Sequence, residues 1–264
     1  MVPNVIHFVY GLVPSFGGKP FMLFHYLAIK SAYEVNRPDK IYFVCAYEPA
    51  SEWFEKAKQY IEIVKITPPE QIFGNTLHHY AHQSDVIRLE RLLEYGGVYL
   101  DLDTICVKPL APLFINEFVM GEEYVMWSQQ EDELPQKYYK GLCNAVILAQ
   151  PGSSFLQRWY DSYKSFRSKG KGHYWAEHSV IIPGQLAKEY PNEVLVVEEE
   201  AFFLPSHDTE GLKNFFEDNL SFPKAYVHHL WETVAWENYL SNITASSIIQ
   251  NETTYNTLAR RFLD

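Results

Sequence analysis

Gly96-Gly97-Val98-Tyr99-Leu100-Asp101-Leu102-Asp103-Thr104 is the stretch on which the reading of the fold turns. A helix-like pattern runs into it from about Tyr80 to Tyr95, and the two glycines stop that helix where a left-handed residue is needed. Val98–Leu102 then reads as an apolar strand with two carboxylates at its wet end. In extended backbone, residues two apart point the same way, so the spacing predicts that Asp101 and Asp103 reach one hard cation. A bound Mg²⁺ or Mn²⁺ bridges the adjacent anionic oxygens of a diphosphate. It neutralises the charge that grows as a nucleoside diphosphate leaves. An Asp-x-Asp tripeptide is common in solvated loops; its place after an apolar strand and a Gly-Gly helix stop favours the metal reading.

Working outward, Asn4–Tyr10 reads as a strand, Pro20–Tyr33 as a helix and Lys40–Ala46 as a buried strand. Ser51–Tyr60 reads as an amphipathic helix and Ile61–Ile66 as another strand, followed by a loop around Pro68-Pro69 and Gly74-Asn75. This alternation predicts an α/β fold with a mostly parallel central sheet flanked by helices, and ligands bound beyond the carboxyl ends of its strands. The second half is less regular. Strands are expected over Val119–Gln129 and Cys143–Gln150, with short ones near Val194–Val197 and Ala225–His228. Helices are expected over Ser153–Ser168, Ala176–Tyr190 and the last twenty residues. No repeat, low-complexity tract or linker interrupts the chain, so residues 1–264 are expected to form a single domain.

The 264 residues are 47% hydrophobic and 16% aromatic, which excludes intrinsic disorder. A formal net charge of −11 opposes binding to a phosphate backbone, so no nucleic-acid partner is expected. An anionic substrate remains compatible if a metal ion or local Arg and Lys reverse the field. Cys45, Cys106 and Cys143 are widely spaced, without a CxxC pair, and are expected as reduced thiols. No signal-peptide pattern and no apolar run of roughly 18–20 residues is present, so no transmembrane segment is expected. The expected location is the cytoplasm or its membrane face.

The helix before the acidic pair carries Ser84-Asp85-Val86-Ile87-Arg88, with Asp85 and Arg88 as neighbours on one face. In isolation that is an ordinary surface ion pair. The whole block Ala81-x-x-Ser84-Asp85-x-x-Arg88 … Gly96-Gly97-Val98-Tyr99-Leu100-Asp101-Leu102-Asp103, however, closely resembles the DXD-containing sugar transferases of glycosyltransferase family 32. A more distant likeness is to the glucosylating domains of clostridial toxins. The resemblance implies a single nucleotide-binding α/β domain of the GT-A type, with an acceptor side in the less regular half. It also implies a reaction that retains anomeric configuration, and a place in polysaccharide biosynthesis.

The resemblance extends to three further blocks. Pro3-Asn4-Val5-Ile6-His7-Phe8-Val9-Tyr10-Gly11 is similar to the family's opening, where the strand end holds the nucleotide base, with Tyr10 standing where Trp is usual. That implies donor contacts from Phe8, Val9, Tyr10 and Gly11, joined by Tyr99 and Leu100 in the acidic block. Asn144-Ala145-Val146-Ile147 resembles a block whose Asn contacts the donor sugar. His228-His229-Leu230-Trp231 with Trp236 resembles the closing element, with Trp231 or Trp236 over the diphosphate. By resemblance, Asp101 contacts donor and metal, Asp103 ligates the metal, Asp85 accepts bonds from sugar hydroxyls, and Arg88 binds sugar or phosphate oxygens.

Only one of His228 and His229 can face a pocket from a strand, and the His-x-Trp spacing selects His229 as a third metal ligand. An imidazole among carboxylates suits Mn²⁺ over Mg²⁺. The expected donor is a nucleotide-sugar, a UDP-hexose ahead of GDP-mannose. The acceptor is expected to be a carbohydrate or glycoconjugate, read by Tyr138-Tyr139-Lys140 and Gly170–Trp175. His78-His79-x-x-His82 reads as loop-to-helix surface or acceptor-side polarity. The competing readings are a phosphatase of the haloacid dehalogenase type with Asp101 as nucleophile, and a catalytically idle sugar- or nucleotide-binding protein.

Overall fold

The computed structural model describes residues 1–126 and 138–264. The first half runs β1 (Val5–Val9), α1 (Leu23–Asn36), β2 (Lys40–Cys45), α2 (Glu52–Ala57), β3 (Glu62–Lys65), the hairpin β4 (Gln71–Ile72) and β5 (Asn75–Thr76), α3 (Tyr80–Tyr95) and β6 (Gly97–Leu100). It continues through β7 (Thr104–Cys106), β8 (Phe118–Met126), β9 (Tyr138–Ala149), α4 (Ser154–Ser162), α5 (Ile182–Glu189) and β10 (Leu195–Val197). The last elements are α6 (Thr209–Phe216), β11 (Val227–His229), α7 (Glu232–Ala235), α8 (Ala245–Gln250) and α9 (Thr254–Ala259).

The strands sort their side chains by alternation. Ile6 and Phe8 of β1, Phe43 and Cys45 of β2, and Val98 and Leu100 of β6 join one apolar cluster. Val9, Val44 and Tyr99, the intervening residues, join a second cluster on the opposite face. Helix α1 covers the first face with Leu23, Phe24 and Leu27, and α3 covers the second with Val86, Leu89 and Leu92. Both faces of the sheet are therefore dry, which suits continuous apolar strands.

The seven-stranded sheet has the order β10-β8-β9-β6-β1-β2-β3. β1, β2, β3 and β6 are mutually parallel, β9 runs against both β6 and β8, and β10 is parallel to β8. Only β9 is reversed, so the sheet is mostly parallel and flanked by helices. The chain steps outward from β1 to β3, and α3 then carries it back to the other side of β1. The strand order therefore reverses between β1 and β6, which opens a crevice at their carboxyl ends.

Three expectations change. The strand read as Val98–Leu102 stops at Leu100; residues 101–103 bend, and β7 leaves the main sheet to pair with β11. The bend is held by Asp101 N donating to Ala145 O (2.8 Å) and by Thr104 Oγ1 donating to Asp101 O (2.8 Å). The acidic pair thus converges through a turn and not through strand pleating. The loop near Gly74 contains the β4–β5 hairpin. The run 176–190 opens as a wide turn over Glu177–Ile181 before α5, which has Pro183 in its first turn. Residues 127–129 of the expected strand Val119–Gln129 lie outside the described residues. The three cysteines are buried free thiols, and among the described residues no helix is long and apolar enough to cross a membrane.

Gly96 and Gly97 have φ of 63° and 104°. A Cβ on Gly97 would lie 2.5 Å from Val5 O and 2.6 Å from Val5 Cγ2, so β1 and β6 pair closely only because it is glycine. His7 Nε2 lies 2.9 Å from Gly96 O and satisfies a carbonyl left over at the end of α3. Gly97→Ala is expected to cost roughly 2–4 kcal/mol, from about 1 of positive-φ strain and about 1–3 of overpacking. Gly74→Ala, also at positive φ but with open space around its Cβ, should cost only the strain. Urea unfolding of both variants checks the difference.

Candidate active site

A cleft of about 690 Å³ opens at the carboxyl ends of β1 and β6. Its walls include Val9 at the end of β1, Tyr10 and Gly11 just beyond it, Lys19 in the next loop, and His79, Tyr80, Ser84 and Arg88 of the α3 segment. Asp101, Asp103, Glu123, His229, Trp231 and Glu232 also line it. Asp101, Asp103 and His229 each offer one ligand atom, and these atoms lie within 4.8 Å of one another. Two carboxylates and an imidazole form a donor set that fits Mn²⁺ or Mg²⁺, the imidazole favouring Mn²⁺.

Asp103 is fixed from the far end of the sequence. β7 and β11 pair with His229 opposite Thr104. Leu230 N donates to Asp103 O (2.7 Å), Glu232 N donates to Asp103 Oδ2 (2.7 Å), and His229 Nε2 lies 3.2 Å from the same oxygen. Burial alone would raise the Asp103 carboxyl, but the charge and hydrogen bond of His229 and the Glu232 amide hold it well below the usual range. Burial would lower the His229 imidazole, and Asp103 with Asp101 and Glu123 raises it. Alternation along β11 sends His228 the other way, with Nδ1 2.6 Å from Leu204 O and its ring beside Phe215.

Asp101 is held by α3 and β6. Arg88 Nη1 lies 3.1 Å from Asp101 Oδ1, and Tyr99 Oη donates to that oxygen (2.6 Å). The same guanidinium reaches Asp85 Oδ1 through Nη2 (3.3 Å), donates from Nη1 to Asn144 O (2.7 Å), and lies 4.2 Å above the Tyr99 ring. These bonds occupy Oδ1 of Asp101 and Oδ2 of Asp103, and the second oxygen of each carboxylate takes none of them. Burial opposes the Arg88 charge, yet Asp101, Tyr99 and Asp85 outweigh it and hold its pKa up. Burial raises the Asp101 carboxyl, with Arg88 opposing and Asp103 adding to the rise. Glu232 is pushed up to about 7 by burial and then by Asp103, against the pull of Lys19.

Of the residues singled out in the sequence, Val9, Tyr10, Gly11, Arg88, Asp101, Asp103, His229 and Trp231 line this cleft. Phe8 and Leu100 do not, because alternation turns them into the core, and Tyr99 lies beneath Arg88. Asp85 and Asn144 stand behind Arg88, joined by Asn144 Nδ2 donating to Asp85 Oδ1 (2.8 Å). Trp236 lies beside Phe24 with the Lys19 ammonium 5.0 Å from its ring centroid, away from the cleft lining. Trp231 sits in a left-handed conformation and donates Nε1–H to Pro205 O (2.9 Å) while its ring stays beside His229. His82 corrects the surface reading of the histidine run: it is buried, 3.3 Å from Asp85 Oδ2 and 3.0 Å from Ser168 Oγ. Lys19, Glu123 and Glu232 were missed. The only signal for Glu123 was a pair of glutamates inside an apolar strand, one of which alternation must turn inward.

A family described as the glycosyltransferase sugar-binding region containing a DXD motif matches residues 26–125. Glucan organizing enzyme 1 of Cryptococcus neoformans var. grubii is 38% identical over 269 residues, spanning 100% of this chain and 71% of that protein. Among solved structures, the glycosyltransferase GlyE of Streptococcus pneumoniae TIGR4 superposes with a TM-score of 0.50 at 13% identity, over 100% of this chain and 61% of that one. Mouse xyloside xylosyltransferase 1 gives a TM-score of 0.49 at 13% identity, over 87% and 98% of the two chains. The GlyE likeness speaks to the fold alone.

Removing Arg88 leaves the buried Asp85 and the partly exposed Asp101 without their shared cation. Arg88→Ala is therefore expected to lower stability by about 3–5 kcal/mol. Arg88→Lys, which keeps the charge but not the planar fork, should recover only part of it. Urea denaturation of both variants measures the gap.

Proposed function

This chain belongs to the glycosyltransferases whose sugar-binding region contains a DXD motif, and from that premise we propose that it is a retaining, metal-dependent enzyme. It moves a hexose from a UDP-sugar to a glycan or other glycoconjugate acceptor, with residues 1–264 acting as one domain. The observation that carries the reading is the convergence of Asp101, Asp103 and His229 within 4.8 Å at the strand ends, in the same cleft as Arg88. These three residues would hold Mn²⁺, or Mg²⁺ in its place. When bound, the ion supplies Lewis-acid neutralisation of the charge on the departing diphosphate.

The chain's own groups divide the rest of the work. Val9, Tyr10 and Gly11 receive the nucleotide end at the carboxyl end of β1. Arg88 adds a fixed positive charge beside the acidic pair. Lys171 and Trp175, in the cleft wall with His79, face the acceptor. Retention follows if departure and attack share one face of the sugar. The bond from C1 to the diphosphate oxygen breaks, the acceptor oxygen bonds to C1 from the same side, and its proton passes to the departing phosphate. The Cryptococcus relative is named for glucan organization, which supports a polysaccharide acceptor and a glucose-type donor.

Incubation with UDP-glucose, UDP-galactose and GDP-mannose, with and without Mn²⁺, is expected to release nucleoside diphosphate from a UDP-sugar only when the metal is present. NMR of the glycosylated product should show the anomeric configuration of the donor. Asp103→Asn should lower turnover at least about 10²-fold with unchanged circular dichroism. Normal Mn²⁺-dependent turnover by that variant removes the metal assignment, and hydrolysis of a simple phosphate ester without any sugar nucleotide restores the phosphatase reading.

A further inference from the structure

The pairing of β8 with β9 is broken at one point. Phe118, Val119 and Met120 face Ala149, Leu148 and Ile147, and then the register jumps so that Gly121 faces Cys143. The three β9 residues left over serve the neighbouring strand and helix. Val146 pairs with Leu100, Ala145 O accepts from Asp101 N, and Asn144 binds Arg88 and Asp85. Irregularities of this kind re-aim the side chains that follow them. Here the re-aimed residue is Glu123, which enters the same cleft as Asp101, Asp103 and His229.

Glu123 is 7% exposed, and its Oε2 is enclosed without a hydrogen-bond partner among the described residues. A carboxylate oxygen in that state is costly, because water has been removed and nothing replaces it. The nearby Cys143 offers only a weak thiol donor. Arg88 is committed to Asp85, Asp101 and Asn144, and Lys19 to Glu232. Glu123 also stands outside the group of three gathered for a cation. A hydroxyl donor on a bound ligand would give Oε2 the partner that the protein does not supply. The diphosphate of a sugar nucleotide carries only acceptors facing the metal, whereas the hexose ring carries hydroxyl donors.

We propose that Glu123 grips the transferred hexose, its Oε2 accepting a hydrogen bond from a ring hydroxyl of the donor sugar. This rests on the transferase reading and adds a sugar-recognising residue from β8 to it. The test compares wild-type protein, Glu123→Gln and Glu123→Ala by calorimetry in Mn²⁺. The ligands are UDP-glucose, UDP-galactose and GDP-mannose, each against its bare nucleoside diphosphate.

The sugar nucleotide preferred by the wild type should bind Glu123→Ala about 10- to 100-fold more weakly and Glu123→Gln by a smaller factor, since the amide keeps a carbonyl acceptor without the charge, while the bare diphosphate binds as before. Circular dichroism of Glu123→Gln and Glu123→Ala should match the wild type, so that a binding loss reads the contact and not the fold. Equal losses for sugar nucleotide and diphosphate overturn the inference, because Glu123 then acts through the metal or the cleft shape. An unchanged ratio in both variants overturns it as well and leaves the transferase reading standing. Wild-type protein that binds none of the ligands overturns that reading and this inference together.

Discussion

A guanidinium buried between two carboxylates is the interaction around which the rest of this site is arranged. Arg88 joins α3, β6 and β9 by touching Asp85 on its own helix, Asp101 at the end of β6 and the carbonyl of Asn144 in β9. Taking the Arg88 and Asp85 charges out of water, with Asp101 only partly exposed, is expensive, and it is tolerable only when donors and acceptors are matched. The match here is nearly complete. Tyr99 lends its hydroxyl to Asp101 and its ring face to the guanidinium, Asn144 caps Asp85 from one side, and His82 caps it from the other. Because the cation is shared, the helix cannot slide along the sheet without uncovering a charge. Asp101 thereby keeps a fixed position in the cleft while its second oxygen stays outside these bonds.

Much of this was legible in the sequence, for reasons that differ by element. The first half was readable because each strand and helix carries its own period, and because two adjacent glycines at positive φ mark one boundary sharply. The helix Tyr80–Tyr95 has the bounds that its apolar stripe predicts. Strand alternation said only that one of His228 and His229 faces the pocket, and the two rings do point opposite ways; His229 was picked by the His-x-Trp spacing of the resembling family. The mechanism by which the aspartates meet was misread, since a two-residue spacing says nothing about whether the backbone stays extended. Phe8 and Leu100 were misplaced for the reverse reason: a motif names neighbours in sequence, while alternation buries every second one. The role of His82 as a buried partner of Asp85 and Ser168 depends on a loop 86 residues away, which no local pattern encodes.

Charge bears on how so acidic a chain could take the anionic donor proposed for it. With a formal net charge of −11 the molecule as a whole repels phosphate. The cleft itself carries Asp101, Asp103, Glu123 and Glu232 against Arg88, Lys19 and Lys171, and the lysine and arginine nearest the acidic groups are already paired to them. A surplus of carboxylates at the place where a diphosphate must lie is unfavourable until a divalent cation joins them. A divalent cation at Asp101, Asp103 and His229 would offset these carboxylates, which is how the proposed metal would ease the approach of an anionic donor.

The three groups that would hold that cation come from two distant parts of the chain. The matched sugar-binding region ends at residue 125 and supplies the aspartates, whereas the imidazole comes from β11. What unites them is a two-stranded pairing outside the main sheet, reinforced by two backbone amides that bind Asp103 itself. An ion bound there favours only the state in which β7 and β11 are paired, so its binding energy becomes folding energy for the less regular second half. The segments that carry Trp231 and Glu232 are also packed into the main core through Val227, Leu230, Ala235 and Leu240. They are tied to Asp103, and the contacts that would complete the proposed metal set also hold the far wall of the cleft in place.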